Sequence, residues 1–185
     1  MYGLTDLKNN TKIELDGEPF VVTDYQHSKM GRGGAVMRTK LKNLRTGAML
    51  QKTFQGNDKI KPASLATRKG QYLYGDTSSY TFMDQESYEQ FTIGANVVGD
   101  QGKFLKEGLE VSLLEFKGQV IGVDLPIKVS YKVVATDPGL KGDTVSGGSK
   151  PAELESGAKV TVPLFVQIGD EIRVDTRDGK YLERA

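Results

Sequence analysis

Short runs in which apolar and polar residues alternate make up most of the chain, and glycine, asparagine or aspartate separates one run from the next. In one such run Ala35, Met37 and Leu41 fall on one face of a strand, whereas Arg38 and Lys40 fall on the other. Helical periodicity is not sustained over more than about ten residues, which disfavours a helix bundle or an α/β fold. The pattern therefore predicts an all-β chain of small barrels or sandwiches.

The predicted strands form three groups, which we place at residues 1–63, 64–126 and 127–185. Each group has about 60 residues, a size at which a domain alone is only marginally stable, so we expect the three to pack together. Three connections lack alternation. The sequence predicts a short helix at residues 100–108, a helical turn or loop at 85–91 and a long glycine-rich loop at 137–150.

The net charge of +1 conceals a strong asymmetry between the three groups. The first holds 11 Lys and Arg against 6 Asp and Glu, the second 5 against 9, and the third 9 against 9. The positive field is therefore concentrated in the first group, which is the expected location of contacts with a polyanion.

The chain contains no cysteine, which excludes disulfides and thiolate metal sites and fits a cytoplasmic location. Its N-terminus lacks the pattern of a signal peptide, and no apolar run approaches the ~20 residues that span a bilayer. We expect no membrane association.

Most of the positive charge of the first group lies in one stretch, since no acid occurs between Asp24 and Asp58. Seven basic residues fall in that stretch: Lys29, Arg32, Arg38, Lys40, Lys42, Arg45 and Lys52. A charged strand face is ordinarily only solvated, but cations without compensating acids favour phosphate because each contact releases a counterion.

Glycines surround one arginine at the centre of the acid-free stretch, where Gly31, Gly33 and Gly34 flank Arg32. Such a segment is ordinarily a mobile hairpin turn, and its spacing fits neither a P-loop nor a dinucleotide fingerprint. An arginine at an open tip suits RNA, because its planar guanidinium stacks on bases and forks onto phosphate.

Catalytic and metal-binding patterns are absent from the sequence. His27 is the single histidine, and a lone histidine is more often a hydrogen-bonding residue than a base. The paired acids Asp170-Glu171 and Glu153 with Glu155 sit at turns and strand ends, where carboxylates are normally solvated. We expect no enzyme activity, no metal and no cofactor.

A general binder of single-stranded nucleic acid is an alternative, because OB-type barrels stack bases on exposed aromatic rings. Tyr72, Tyr74, Tyr80 and Phe82 alternate in the second group and would be the platform. Alternating aromatic residues of a strand belong more often to the core, and the negative charge of this group opposes phosphate binding.

Longer motifs are spread along the chain: Lys29–Gly33, Lys40–Leu44, Thr46-Gly47, Lys52–Phe54, Tyr72–Tyr74, Phe82–Asp84, Tyr88–Gln90, Thr136–Thr144, Lys150–Ala152, Gly157, Val162–Leu164, Ile168-Gly169 and Val174–Arg177 with Gly179, Tyr181 and Arg184. These motifs are similar to those of the bacterial elongation factor P family. The resemblance covers essentially the whole chain. An elongation factor P-like paralogue shares the architecture, but the tip and the C-terminal motifs favour elongation factor P itself.

The resemblance implies an SH3-like (KOW-like) barrel followed by two OB-fold barrels in an elongated, tRNA-like shape. It also implies a monomeric translation factor that binds both ribosomal subunits between the P and E sites, beside peptidyl-tRNA or initiator tRNA. Such a factor stimulates peptide-bond formation and relieves stalling at consecutive prolines.

The resemblance also assigns residues. Arg32 takes the tip position that reaches toward the CCA end, where Lys29, Gly31, Gly33 and Gly34 shape the tip. Five cations of the acid-free stretch would hold the tRNA backbone: Arg38, Lys40, Lys42, Arg45 and Lys52. Three residues match the loop near the E-site codon on the small subunit: Gly142, Asp143 and Thr144. Two match positions near the anticodon stem: Tyr181 and Arg184.

The tip departs from the commonest family pattern. Many members carry a tip lysine that receives β-lysine, a modification that Arg32 cannot accept. Another branch rhamnosylates a tip arginine, but its flanking residues differ from those of this chain. We therefore expect Arg32 to act unmodified; the alternative is a tip-modifying enzyme as a partner.

Overall fold

The computed structural model describes residues 1–30, 34–139 and 148–185, which form three five-stranded sheets with antiparallel pairing in each. The first sheet has the order β4-β3-β2-β1-β5. Its strands follow a single 3-10 turn at Leu4–Asp6 and are β1 (Lys12–Leu15), β2 (Glu18–Met30), β3 (Gly34–Asn43), β4 (Met49–Gln55) and β5 (Lys61–Pro62).

The second and third sheets have the orders β10-β9-β6-β7-β8 and β13-β12-β11-β14-β15. The second comprises β6 (Leu65–Gly75), β7 (Ser79–Asp84), β8 (Gln90–Gly94), β9 (Glu110–Phe116) and β10 (Gln119–Asp124), with helix α1 (Ala95–Val98) and a 3-10 helix (Gly99–Phe104) before β9. The third comprises β11 (Lys128–Thr136), β12 (Ser149–Leu154), β13 (Lys159–Pro163), β14 (Glu171–Asp175) and β15 (Lys180–Arg184). The all-β prediction is confirmed, while the exact domain bounds stay a prediction.

The predictions for the three connections need correction. Residues 90–94, expected to belong partly to a turn or loop, form β8, because the turn at Asp84 returns the chain alongside β7. The helical segment begins at Ala95 and ends at Phe104, earlier than the predicted 100–108. Strand β12 starts at Ser149, inside the predicted loop, since it pairs with both β11 and β13.

Two large apolar cores stabilise the three sheets. The first sheet closes over its own core, which includes the fully buried Leu7, Ile13 and Leu41. The second and third sheets contribute to a single continuous cluster, the shared core, whose members include Leu113 of β9 and Ile172 of β14. The expectation that the units pack together is therefore met most fully by the second and third sheets.

The aromatic residues of the second sheet belong mainly to this core. Phe82 is fully buried, and the Tyr72 ring centroid lies 5.6 Å from that of Phe82 and 6.2 Å from that of Tyr80. Tyr74 alone among the four is largely exposed. The alternative of a base-stacking platform loses support, because three of its four rings are engaged in packing.

Within the described ranges, no helix combines the length and apolar content that crossing a membrane requires. The same residues contain no cluster of three or more His, Asp or Glu side chains that could hold a metal ion.

Candidate nucleic-acid interface

A long hairpin of β2 and β3, here called the arm, carries the predicted tip. Its strands pair continuously apart from one bulge, from Phe20 opposite Asn43 to Met30 opposite Gly34. Strand β4 accompanies β3 only as far as Val36, so the arm projects two residue pairs beyond the third strand. The last described pair of the arm is therefore Met30 and Gly34, beyond the end of β4.

Most of the predicted tip falls outside the described residues: Gly31, Arg32 and Gly33, together with the side chain of Lys29. Gly34, the first residue of β3, has φ +79° and no neighbour within 4 Å of the position a Cβ would occupy. Glycine is favoured at this position by the positive φ and not by crowding, because the space around it would admit a side chain.

One surface of the arm, here called the outer face, carries two of the five cations predicted to hold the tRNA backbone. Arg38 lies between Gln26 and Thr53 on the neighbouring strands, and Lys40 lies beside them. Both cations are exposed, because they alternate with buried residues that face the core of the first sheet. The predicted alternation of this strand is confirmed.

The other three cations do not extend that face. Lys52 stands opposite Thr39, on the core side of the sheet, with its Nζ 5.7 Å from the Phe54 ring centroid. Lys42 is half-buried and donates from Nζ to the carbonyl oxygen of Val97 at 3.0 Å. Arg45 lies in the turn after β3. The five cations therefore do not form one continuous stripe.

Two acids from β2 lie close to cations of the acid-free stretch, although no acid occurs within that stretch in the sequence. Lys40 Nζ lies 3.2 Å from an oxygen of Asp24, and Arg45 Nε lies 3.4 Å from an oxygen of Glu18. Antiparallel pairing causes this, because it sets the acidic first half of β2 against the second half of β3. Within the described part of the first sheet, Arg38 is the outer-face cation without a carboxylate partner.

The predicted anticodon-stem residues lie on β15, the edge strand of the third sheet, but do not share a site. Tyr181 packs on the shared core and lines a surface groove of about 500 Å³. Arg184 is bound instead to Asp170, with 2.8 Å between NH2 and Oδ1. The groove also contains three lysines that sequence reasoning missed: Lys103, Lys159 and Lys180. They come from distant segments, so no local motif could have grouped them.

The predicted codon-side residues Gly142, Asp143 and Thr144 fall outside the described residues. The chain on either side of them is held together by Lys150, which is buried and donates from Nζ to the carbonyl oxygen of Asp137 at 2.6 Å. Thr136 adds a second link through its hydroxyl, which donates to the carbonyl oxygen of Pro151 at 2.8 Å.

Three family models match successive parts of the chain. The elongation factor P KOW-like domain matches residues 4–60, the elongation factor P OB domain matches 65–123, and the elongation factor P C-terminal domain matches 129–184. These matches support the predicted barrel types of the first two units.

Full-length relatives and a solved structure are also similar to the chain. Elongation factor P of Pelotomaculum thermopropionicum is 49% identical over 184 residues, with 100% of both chains covered. Elongation factor P of Dictyoglomus turgidum is 49% identical over 185 residues, again with 100% of both covered. The structure of a translation initiation factor 5A from Methanococcus jannaschii matches with a TM-score of 0.45 and 24% identity, covering 66% of this chain and 94% of that one. From the three family models and the full-length identities, the chain belongs to the elongation factor P family of translation elongation factors.

Proposed function

We propose that this factor binds the ribosome between the P and E sites and holds peptidyl-tRNA so that peptide bonds form at consecutive prolines. The observation that carries the proposal is the full-length match to elongation factor P, at 49% identity with complete coverage. Membership in a family of translation factors also confirms the prediction that the chain is not an enzyme.

The arm supports a role in which the protein positions a neighbouring RNA. Arg38 on the outer face contributes a cation for the tRNA backbone, and phosphate contacts of this kind fix position without reading sequence. In our proposal the tip residue Arg32, two positions after the end of β2 in sequence, reaches toward the CCA end.

The chemistry of the ribosome requires no reactive group from the factor. Proline has a fixed φ and a rigid ring, which makes the reactive pose of the aminoacyl and peptidyl ends hard to reach. Holding two reactants in the correct geometry lowers the barrier by removing the entropic cost of alignment. A factor that braces the CCA end therefore accelerates the reaction by positioning alone.

The remaining assignments belong to the same proposal. Gly142, Asp143 and Thr144 contact the small subunit near the E-site codon, and Tyr181, with the lysines around its groove, faces the anticodon stem. The factor acts as a monomer in the cytoplasm, with Arg32 unmodified. Intact mass of protein from its native cell tests the last point, since an added sugar or amino acid on Arg32 would contradict it.

A translation assay on a message with a proline run tests the proposal. Wild-type protein should shorten the stall, Arg32→Ala should lose most of that effect, and Arg32→Lys should lose part because it retains charge without the planar fork. A message without prolines is the matched control. Full activity of Arg32→Ala would remove Arg32 from its assigned role, and a wild type without effect on the stall would remove the function itself.

A further inference from the structure

The arm is fixed to the second sheet at the end opposite its tip. Strand β3 runs from Gly34, beside the tip, to Asn43, where the turn 43–48 begins; this turn is here called the docking turn. The docking turn lies against helix α1, where Asn96 Nδ2 donates to the carbonyl oxygen of Thr46 at 2.7 Å. Lys42, which directly precedes the docking turn, donates from Nζ to the carbonyl oxygen of Val97 at 3.0 Å.

The fit between the docking turn and α1 is close enough to involve the backbone. Gly47 has φ +76°, and a Cβ built on it would lie 2.5 Å from the carbonyl oxygen of Asn96. The turn is also held in shape from within, because Asn43 Oδ1 accepts hydrogen bonds from the backbone N–H groups of Arg45 and Thr46 at 2.8 and 3.0 Å. Because the docking turn is rigid and fits closely against the backbone of α1, it permits few orientations of the first sheet relative to the second.

Further contacts support the same junction. A small apolar cluster of the second sheet, which includes Phe116, packs against Leu44 of the docking turn. Lys117 Nζ donates to the carbonyl oxygen of Gly17 at 3.0 Å. The apolar contact provides attraction, whereas the hydrogen bonds of Lys42, Asn96 and Lys117 to backbone carbonyls provide direction.

We infer that Lys42 and Asn96 are positioning residues that fix the docking turn on α1 and so aim the arm. The inference rests on the proposed function of the tip. Ten residues of extended strand, with about 3.3 Å per residue, place the tip end about 30 Å from the docking turn. A tilt of about 10° at the turn then displaces the tip by about 5 Å, and a misplacement of about 1 Å is already costly for catalysis by positioning.

This assignment changes the role of Lys42, which the sequence groups with the cations for tRNA phosphate. Its ammonium group is half-buried at a carbonyl of another domain, where it is poorly placed to meet RNA. Asn96 carries no charge and belongs to the second sheet's domain, so its loss removes no phosphate-binding cation from the arm.

The test measures the orientation of the arm and the rescue of proline stalls with the same set of variants. Because the chain has no cysteine, the exchanges Gln55→Cys near the tip end of β4 and Glu86→Cys in the turn between β7 and β8 introduce two sites for spin labels. Distance distributions between the labels are compared for the parent, Lys42→Met, Asn96→Ala and the combined variant. Lys59→Met is the matched control, because Lys59 is exposed on the first sheet's domain and lies outside the junction.

We expect the combined variant to broaden or shift the distance distribution and to reduce the rescue of proline stalls by about tenfold. Each single variant should give a smaller change of the same kind, with thermal unfolding of the second and third sheets unchanged. The control should leave distance and rescue as in the parent.

An unchanged distance distribution in the combined variant would overturn the inference, as would a changed distribution with full rescue. Loss of rescue in Lys42→Met alone, with the distance and Asn96→Ala unaffected, would return Lys42 to RNA binding and overturn it too. Failure of the proposed function gives a separate result, because the parent protein itself would then leave the stall unrelieved.

Discussion

The hydroxyl of Tyr131 donates a hydrogen bond of 2.6 Å to the carbonyl oxygen of Phe104. Tyr131 belongs to β11 of the third sheet and is fully buried, whereas Phe104 ends the 3-10 helix of the second. Their rings also lie 6.3 Å apart between centroids, tilted by 50°. One pair therefore supplies both polar and apolar contact across the boundary between two sheets.

Removing the Tyr131 hydroxyl should destabilise the protein. Tyr131→Phe keeps the ring but leaves the Phe104 carbonyl without its buried donor, which costs about 1–3 kcal/mol of the free energy of unfolding. Denaturant unfolding followed by circular dichroism measures this. Tyr74→Phe is the control, because Tyr74 is largely exposed and its hydroxyl can exchange with water. Equal effects of the two exchanges would contradict the prediction.

Alkaline conditions should weaken the fold through the same residue. Burial, with a smaller contribution from the charge of Glu155, raises the pKa of Tyr131 well above its ordinary value of 10.0. Tyrosine is neutral in both states below pH 10, but above it the unfolded chain loses the proton first, so the free energy of unfolding falls as the pH rises. Tyr131→Phe should make this fall less steep. An identical slope in the variant would show that Tyr131 is not its source.

Acid conditions should weaken the fold through Asp175. Hydrogen bonds from the side chain and backbone of Arg177 lower the pKa of Asp175 from 3.8 to about 2. The stabilisation is therefore present above pH 3.8 and lost as the pH falls toward 2, and it amounts to about 1–2 kcal/mol. Asp175→Asn should flatten this part of the pH profile of unfolding, and a variant profile with the slope of the wild type would contradict the prediction.

The outer face should bind RNA with unequal contributions from its two cations. Arg38→Ala should weaken binding to ribosomes that carry peptidyl-tRNA and reduce the slope of log K against log salt by about 1. Asp24→Asn should instead strengthen binding at low salt, since it releases Lys40 from an exposed ion pair of 3.2 Å. Lys59→Ala is the control. A loss from Lys59→Ala as large as that from Arg38→Ala would indicate nonspecific attraction.

The alternation of side chains predicted the strands well, because one face of each strand is buried in a core. For β3 the alternation also predicted which residues face outward. It missed β8, since Gln90–Gly94 becomes a strand only through its pairing with β7. A pairing of this kind is a tertiary fact that local periodicity does not contain.

Charge patterning along the chain predicted less of the candidate site. A count of acids between Asp24 and Asp58 ignores the strand register, which returns Glu18 and Asp24 to the neighbourhood of the cations. The contact of Lys42 with Val97 joins residues 55 positions apart and depends on how two domains meet. The family resemblance identified the chain, but the contact of Lys42 with the second domain became visible only in the three-dimensional structure.

The shared core also decides where the gene can be divided. A fragment of residues 1–63 keeps its own apolar cluster around Leu41, whereas a fragment that stops at residue 126 would expose Phe104, which Tyr131 of the third sheet normally contacts. Chimeras between relatives should therefore exchange the first 63 residues alone and take the remainder from one parent, so that both sides of the shared core come from the same sequence.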